Sequence, residues 1–583
     1  MLAFLDTCRT LVFHNGIGYD FPLLLKLFGY EFKGQVVDTL IMSRLLFPKR
    51  KQHSVEAWGL SFGVPKPEHE DWSKFSPEML YRCEQDVEIQ LRIYKHCMKK
   101  AASTKGASWM NAFKMSFKLF EILQKQQDYG WLLDQEYARS KVQMTTHWIE
   151  RIDRVLVPNM PILVDIEHGK EKGVVKYYKK PYTQGGKLQH FVVSWLETLS
   201  DFERQRTNED TICGPFTKVN FRPVDPNKRE EVVQYLLDMG WIPKEWNTND
   251  AGERTSPKMS KDETFEGVEG KAGQLLAKRV QIRHRRSTIE GWLERVRPDG
   301  RVEGRVSGIA ATGRAKHSGI VNVPNAEAFF GKQMRKCFTR AAGMKLVSVD
   351  ADSCQNKMLG QRAQSSELAR LLIEEDTHTL VKDAVNSVLR KKRLPEITRG
   401  FAKGVGFAYR FGASDNKLGD LCGGGKQLGG EIRSAINAVF PAQASLLSRL
   451  TKEWRKNAKR TTNKWGKLQY RNGWIKGLDG RPIEIESEHQ ILVYMLQSDE
   501  AIMMSAAYCM GYKLLCEKLT FGVDFGITLW MHDEYTVECK EEHVPYVKEC
   551  LERSITMASD YFKMNTCPQT GTADVGDNWL EVH

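Results

Sequence analysis

The pattern of apolar and polar positions divides this 583-residue chain into stretches of different character. Residues 1–105 alternate short apolar runs with helical spacing, so that Thr10-Leu11-Val12-Phe13 predicts a strand and Phe21 to Leu27 a helix. From about 106 to 300 the spacing becomes mostly helical, broken by a Gly-, Lys- and Tyr-rich stretch from Glu167 to His190 that reads as an exposed basic loop. The remainder, about 301–583, mixes strands and helices. In it, Leu346-Val347-Ser348-Val349 predicts a strand ending at Asp350, and Trp530 to Tyr535 predicts a strand reversal with Asp533 and Glu534 at its tip. Between them Arg399, Lys403 and Phe407 recur every fourth residue, which places a guanidinium, an amine and a ring on one helix face.

Length alone implies two to four domains with ample core. The net charge of +13 favours a polyanionic partner without choosing among nucleic acid, ribosome and membrane surface. The charge is uneven: Lys278 to Lys316 holds eleven Lys/Arg against four Asp/Glu, seven of the thirteen net charges, which suits a phosphate-gripping segment containing Arg283, Arg285 and Arg286. Twelve cysteines without a C-x-x-C pair signal neither a zinc site nor a disulfide framework and point to a reducing compartment. No stretch is apolar enough for a membrane span and no basic-then-apolar leader opens the chain, so a soluble, unexported, cytoplasmic protein is expected.

Two strand-end aspartates converging on a pair of divalent cations, faced by a helix offering Arg and Lys to a triphosphate, is the chemistry of nucleotidyl transfer. The helix spacing by itself also fits a solvated basic edge with one core Phe. The order of the three elements makes it specific.

On those residues the chain resembles family A DNA polymerases, the DNA polymerase I type, and in particular their short-tailed-phage replicative branch. Asp350 matches the first palm aspartate, Arg399-x-x-x-Lys403-x-x-x-Phe407 with Phe411-Gly412 the fingers helix, and His532-Asp533-Glu534 the third motif. Thr312-Gly313-Arg314 with Asn322-Val323-Pro324 is similar to the family's duplex-contacting segment; Gly477 to Arg481, and Gln497 beyond it, are similar to residues that follow template and primer. His378, in Asp376-Thr377-His378-Thr379, matches a histidine on the incoming phosphates. The resemblance implies that Asp350, the carbonyl of Ala351 and Asp533 hold two Mg²⁺ ions. It further implies that Arg399, Lys403 and His378 neutralise the phosphates, that Phe407 packs on the nucleotide, that Glu534 assists at the primer end, and that Thr312, Arg314, Arg481, Gln497 and His532 contact DNA.

Departures from the family pattern accompany these matches. The family has Glu five residues beyond the first Asp, acting with the fingers aromatic as a gate against the ribose 2′-hydroxyl; here Gln355 keeps the shape and loses the charge. Asp352 replaces Ser, Lys357 replaces Arg, and Phe411 replaces the usual Tyr of the template pocket. The amino-terminal segment resembles the family's 3′–5′ exonuclease, with Asp20 and Asp86 matching two metal carboxylates. The opening Asp-x-Glu strand is missing and Arg82 stands where the family has Tyr, so an incomplete module is expected, dead or completed by a separate polypeptide.

The expected architecture is a multidomain α/β right hand of palm, fingers and thumb, preceded by a partial ribonuclease H-like exonuclease domain. The boundaries read as exonuclease-like 1–105, thumb 106–300 with a basic insert at about 166–215, palm 301–370, fingers 371–479 and palm again 480–583. The resemblance implies a template-directed DNA polymerase extending a primer with dNTPs, with a processivity factor on the basic insert and, for a phage-encoded chain, the host cytoplasm as its location. A single-subunit RNA polymerase, for which Gln355 speaks, and a non-catalytic DNA-binding scaffold are the rivals.

Overall fold

The computed structural model describes residues 2–583 except 105, 170–173, 202, 204–215, 244, 250–252, 260–264, 411, 463–465 and 467. Phe411, Lys170 and Lys172 therefore lie outside the described residues. By Cα proximity the chain forms two compact units, one of residues 1–134 with 295–583, the other of residues 135–294.

In the first unit, β1 (Thr10–Phe13) pairs in parallel with β2 (Gln35–Asp38) across α1 (Asp20–Phe28), as the apolar runs predict. Asp38 ends β2 and holds this corner together: its buried carboxylate accepts backbone N–H groups of Asn15, Ile17, Leu40 and Ile41. The long helix α2 (Pro77–Ala102) begins with Ser76 as N-cap and Pro77 in its first turn, a start signal legible in the sequence. Helix α3 (Met110–Tyr129) departs from the expected thumb boundary at 106. It belongs to the first unit because its inner face is committed there: Gln126 Nε2 donates to Gly304 O at 2.6 Å, and Tyr129 Oη to Glu538 Oε2 at 2.6 Å.

The second unit comprises α4 (Gln135–Leu156), β3 (Ile162–Ile166), α5 (His190–Glu197), β4 (Val219–Pro223), α6 (Arg229–Asp238) and most of α7 (Lys271–Arg295). Leu156, Val232, Leu236, Trp241 and Leu276 form its core. The stretch from Glu167 to His190 is not the bare loop its composition predicts. Antiparallel pairing of β3 with β4 closes its base, and Tyr178 stacks on Phe191 and Phe216 at 5.0 and 5.5 Å, beside buried Val192, Trp195 and Leu196. Apolar burial gives the insert a small core of its own. Lys176, Lys179, Lys180 and Lys187 remain exposed on it.

The rest of the first unit begins with the hairpin β5 (Gly304–Ile309) and β6 (Ala315–Gly319). Then come β7 (Met344–Ala351), α8 (Cys354–Ala363), α9 (Thr377–Lys391) and α10 (Arg399–Arg410), followed by α11 (Ile491–Leu515), β8 (Phe525–Met531), β9 (Glu534–Lys540), α12 (Val544–Tyr561) and β10 (Gly571–Gly576). The antiparallel sheet runs β8-β9-β7-β10. In β7 the residues Leu346 to Val349 are all buried, which explains a near-continuous apolar run where a half-exposed strand alternates. Helix α11 is apolar around its circumference because it is buried along most of its length, together with the sheet and α12. A separate core around Val385, Leu389, Val405 and Ile432 supports α9 and α10.

Candidate nucleotidyl-transfer site

The site is built on the end of β7 and the turn between β8 and β9. Cross-strand register sets Asp350 opposite Glu534, and the two-residue turn His532-Asp533 joins Met531 to Glu534. His532 takes φ 61°, the left-handed conformation that a tight hairpin turn demands and that a non-glycine residue rarely adopts. The Ala351 N–H donates to the Asp533 carbonyl at 3.0 Å and ties the strand end to the turn. Desolvation, with the Asp533 and Glu534 carboxylates nearby, pushes the Asp350 carboxyl up to about 7. His583 offsets part of this shift.

Only one of the two acids lies at the turn. Glu534, the first residue of β9, shares a face of the sheet with its cross-strand partner Asp350 but is covered there, with 8 % exposure. It accepts from Ser348 Oγ at 2.9 Å and lies 2.7 Å from His583 Nδ1. The tip carrying both carboxylates, as the sequence suggests, is therefore corrected to Asp533 alone.

Helix α10 buries Ala402, Val405, Gly406 and Tyr409 and exposes Arg399, Lys403 and Phe407, so the four-residue spacing does define one open face. Arg399 is engaged by Asp376, with Nε at 2.6 Å and Nη2 at 3.1 Å from its oxygens. Asp376 also caps α9 through the N–H groups of His378 and Thr379, and its carboxyl is held well below the usual range, chiefly by Arg399. The His378 ring lies 6.0 Å from that of Phe407, and burial, then Arg399, lowers its pKa. Arg399, His378 and Phe407 thus form one group on the helix-end surface.

A third group surrounds Gln355 on α8. Its Nε2 donates to Glu500 Oε2 at 2.5 Å, and Arg314 Nη2 reaches Glu500 Oε1 at 2.6 Å. Thr312, Gly313 and Arg314 form the tip of the β5–β6 hairpin, with Thr312 nearly buried and Gly313 at φ 86°. Arg481 folds onto Asp479 at 2.6 Å, and Gln497 is half-buried on α11. His532 packs edge-on to His317 with ring centroids 5.8 Å apart, and burial lowers its pKa. Asp352 turns away from Asp350, accepting from Thr570 and Thr572 at 2.6 and 2.8 Å.

The basic helix of the second unit departs from expectation. Arg285 is 4 % exposed and sits in the helix's inner face, so it is not a surface phosphate contact. Arg286 is half-buried against Glu290 and Thr146 at 3.5 and 3.4 Å, and Arg283 alone of the three is exposed. At helical spacing three near-adjacent arginines cannot share one face.

In the amino-terminal segment Asp20 opens α1, and burial with the nearby Asp38 raises its pKa. Asp86 pairs with Lys66 at 2.9 Å. Among the described residues no group of three or more His, Cys, Asp or Glu side chains converges as a metal site.

Residues that sequence reasoning passed over are Glu500, Ser348 and His583. Glu500 left a signal: Asp499-Glu500 interrupts an apolar helix, and buried charges require partners. Asp499 likewise takes two bonds from Arg362 at 2.5 and 2.8 Å.

The DNA polymerase family A model matches residues 225–581. The DNA-directed DNA polymerase of Escherichia phage T7 is 25 % identical, over 98 % of this chain and 92 % of its own length. That of Escherichia phage Phieco32 is 23 % identical, over 81 % of this chain and 99 % of its own. The polymerase domain of Pol1 from M. smegmatis, solved with DNA primer-template and dNTP, superposes with a TM-score of 0.67 at 14 % identity, covering 100 % of this chain and 88 % of that one. The fold is that of a right-hand polymerase, and the chain belongs to DNA polymerase family A. Its activity is template-directed DNA synthesis; nothing favours the RNA polymerase or scaffold alternatives.

Proposed function

We propose that Asp350, the carbonyl of Ala351 and Asp533 hold two Mg²⁺ ions where a primer 3′-hydroxyl meets a dNTP. The observation that carries this reading is the strand end at Asp350 joined to the His532-Asp533 turn, with the Ala351 N–H on the Asp533 carbonyl at 3.0 Å; burial and the two neighbouring carboxylates push the Asp350 carboxyl up to about 7, which suits cations. When bound, such ions activate the attacking hydroxyl and neutralise the phosphates. Within this reading the two-residue turn and the Ala351 N–H fix the spacing of the two aspartates, and Ser348 and His583 fix Glu534 near the primer end. In this reading exposed Lys403 meets the phosphates from the open face of α10 and protonates the leaving pyrophosphate, while His378 and Phe407 hold phosphate and base.

Primer-template DNA is bound through Thr312, Arg314, Arg481, Gln497 and His532; within the second unit, exposed Arg283 is suited to a phosphate contact of its own. The exposed lysines of the insert support a docking place for a processivity factor. In the amino-terminal segment the Lys66–Asp86 pair supports a structural role for Asp86, so the chain alone excises mismatched primers poorly. The exposed Leu23, Leu27 and Phe28 of α1 are an apolar surface suited to a protein partner. No described helix is long and apolar enough to cross a membrane, and the phage relatives suggest the host cytoplasm.

Primer extension tests the central assignment: dNTPs with Mg²⁺ and a template give extension, whereas omitting the cation or supplying rNTPs abolishes or greatly slows it. Extension independent of a divalent cation would overturn the metal reading.

A further inference from the structure

Glu500 has no exposed surface and stands midway along the apolar helix α11. A carboxylate so placed is costly unless donors surround it. Each of its oxygens meets one: Arg314 Nη2 at 2.6 Å from Oε1, and Gln355 Nε2 at 2.5 Å from Oε2. A primary amide has a donor end and an acceptor end, and engaging the donor with a buried anion determines which end remains. The Gln355 carbonyl oxygen is the remaining end, on an exposed residue five positions beyond Asp350. Read from the sequence, Gln355 is a glutamate that has lost its charge. In three dimensions the carboxylate is retained one layer deeper, on α11, behind the amide.

We propose that Glu500 is a positioning residue for sugar selection. With Arg314 as its counter-charge it holds Gln355 so that the amide oxygen faces the incoming ribose, and discrimination between dNTPs and rNTPs depends on residue 500 as well as residue 355. An unanchored glutamine swings aside from a 2′-hydroxyl at little cost; one bonded to a buried carboxylate must first break a charge-assisted bond. This inference rests on the proposed nucleotide site at Asp350 and on the resemblance that sets residue 355 where the family gates against the ribose 2′-hydroxyl.

The test is single-nucleotide incorporation by the full chain on a primer-template, read as the ratio of kcat/KM for rNTP to that for dNTP, with Tm measured on every variant. Gln355→Ala, expected to raise the ratio, reports whether Gln355 is at the sugar. Glu500→Gln keeps the size and removes the charge; it should raise the ratio about tenfold with a smaller loss of dNTP incorporation. Gln355→Glu alone sets two carboxylates in contact and should lower dNTP kcat/KM by about tenfold or more. Exchanging acid and amide, Gln355→Glu with Glu500→Gln, should return both ratio and rate to within about threefold of the starting protein. Should Glu500→Gln fail to fold, recovery in the exchange variant relative to Gln355→Glu still decides the matter. A ratio that moves in Gln355→Ala but is unchanged in Glu500→Gln, with no recovery in the exchange, overturns the role of Glu500. A ratio unmoved by Gln355→Ala, with extension intact, overturns the pocket reading and the proposal with it.

Discussion

Two pairs of carboxylates in this chain carry the same sequence expectation, cation binding, and the fold treats them differently. Asp350 and Asp533 are brought together by a strand end and a two-residue turn, and burial, then the neighbouring Asp533 and Glu534, drives Asp350 up to about 7. Asp86 instead has Lys66 at 2.9 Å, and Asp20 sits at a helix start with Asp38, whose oxygens are occupied by four backbone N–H groups. Strand register and the turn join Asp350 to Asp533, whereas Asp86 is taken up by Lys66; burial raises Asp20 as it does Asp350, so geometry and the Lys66 pair, not the direction of the shift, separate the two pairs. Motif matching alone treats the two pairs alike.

The sharpest separation should come from Asp350→Asn and Asp533→Asn. Each should lower single-nucleotide incorporation by about a thousandfold or more while leaving duplex affinity within a fewfold, because the charge acts mainly as the transition state forms. Asp86→Asn in the same rapid-quench assay should leave incorporation within about twofold. A comparable loss in both regions would erase the distinction.

Next in size is Lys403→Ala, expected to slow incorporation about a hundredfold, the range of a lost general acid or phosphate contact. Arg399→Ala should act more on nucleotide KM. Its guanidinium must leave Asp376 before it can grip a phosphate, so Asp376→Asn should partly offset a weak dNTP affinity, as pre-steady-state titration would show.

The pH dependence of folding gives a smaller effect of defined sign. The Asp350 carboxyl titrates at about 7 in the fold against about 4 in an unfolded chain. Between these values the folded chain binds the extra proton, so this group lowers the stability of the cation-free protein as pH rises from about 4 to about 7. Asp350→Asn should raise Tm at pH 8 and change it little at pH 4; Asp86→Asn, which breaks an ion pair with Lys66, should lower Tm modestly at neutral pH. Equal pH profiles for the two would count against the contrast.

Much of the site in palm and fingers was legible in the sequence because its signals are local. An apolar run ending in Asp350, a turn at His532-Asp533 and four-residue spacing on α10 each depend on neighbours along the chain. Partners distant in sequence were not legible: Glu500 with Gln355 and Arg314, His583 with Glu534, Lys66 with Asp86. Glu534 was placed at the tip because what covers it, Ser348 and His583, is distant in the sequence. Arg285 was counted with a basic surface because net charge ignores helical phase, and it faces inward. The insert at Glu167 to His190 looked like loop because its aromatic partners, Phe191 and Phe216, lie outside that stretch.

The contrast between the two carboxylate pairs is tested most directly by Mn²⁺ binding, followed by the electron paramagnetic resonance signal of the free ion, with the chain saturated by a dideoxy-terminated primer-template and a matching dNTP. Asp20→Asn with Asp86→Asn should bind as many tight ions as the unmodified chain, and Asp350→Asn with Asp533→Asn should lose them. Retention of the tight ions by the palm variant, with loss in the amino-terminal variant, would contradict the assignment of the cation site to Asp350 and Asp533.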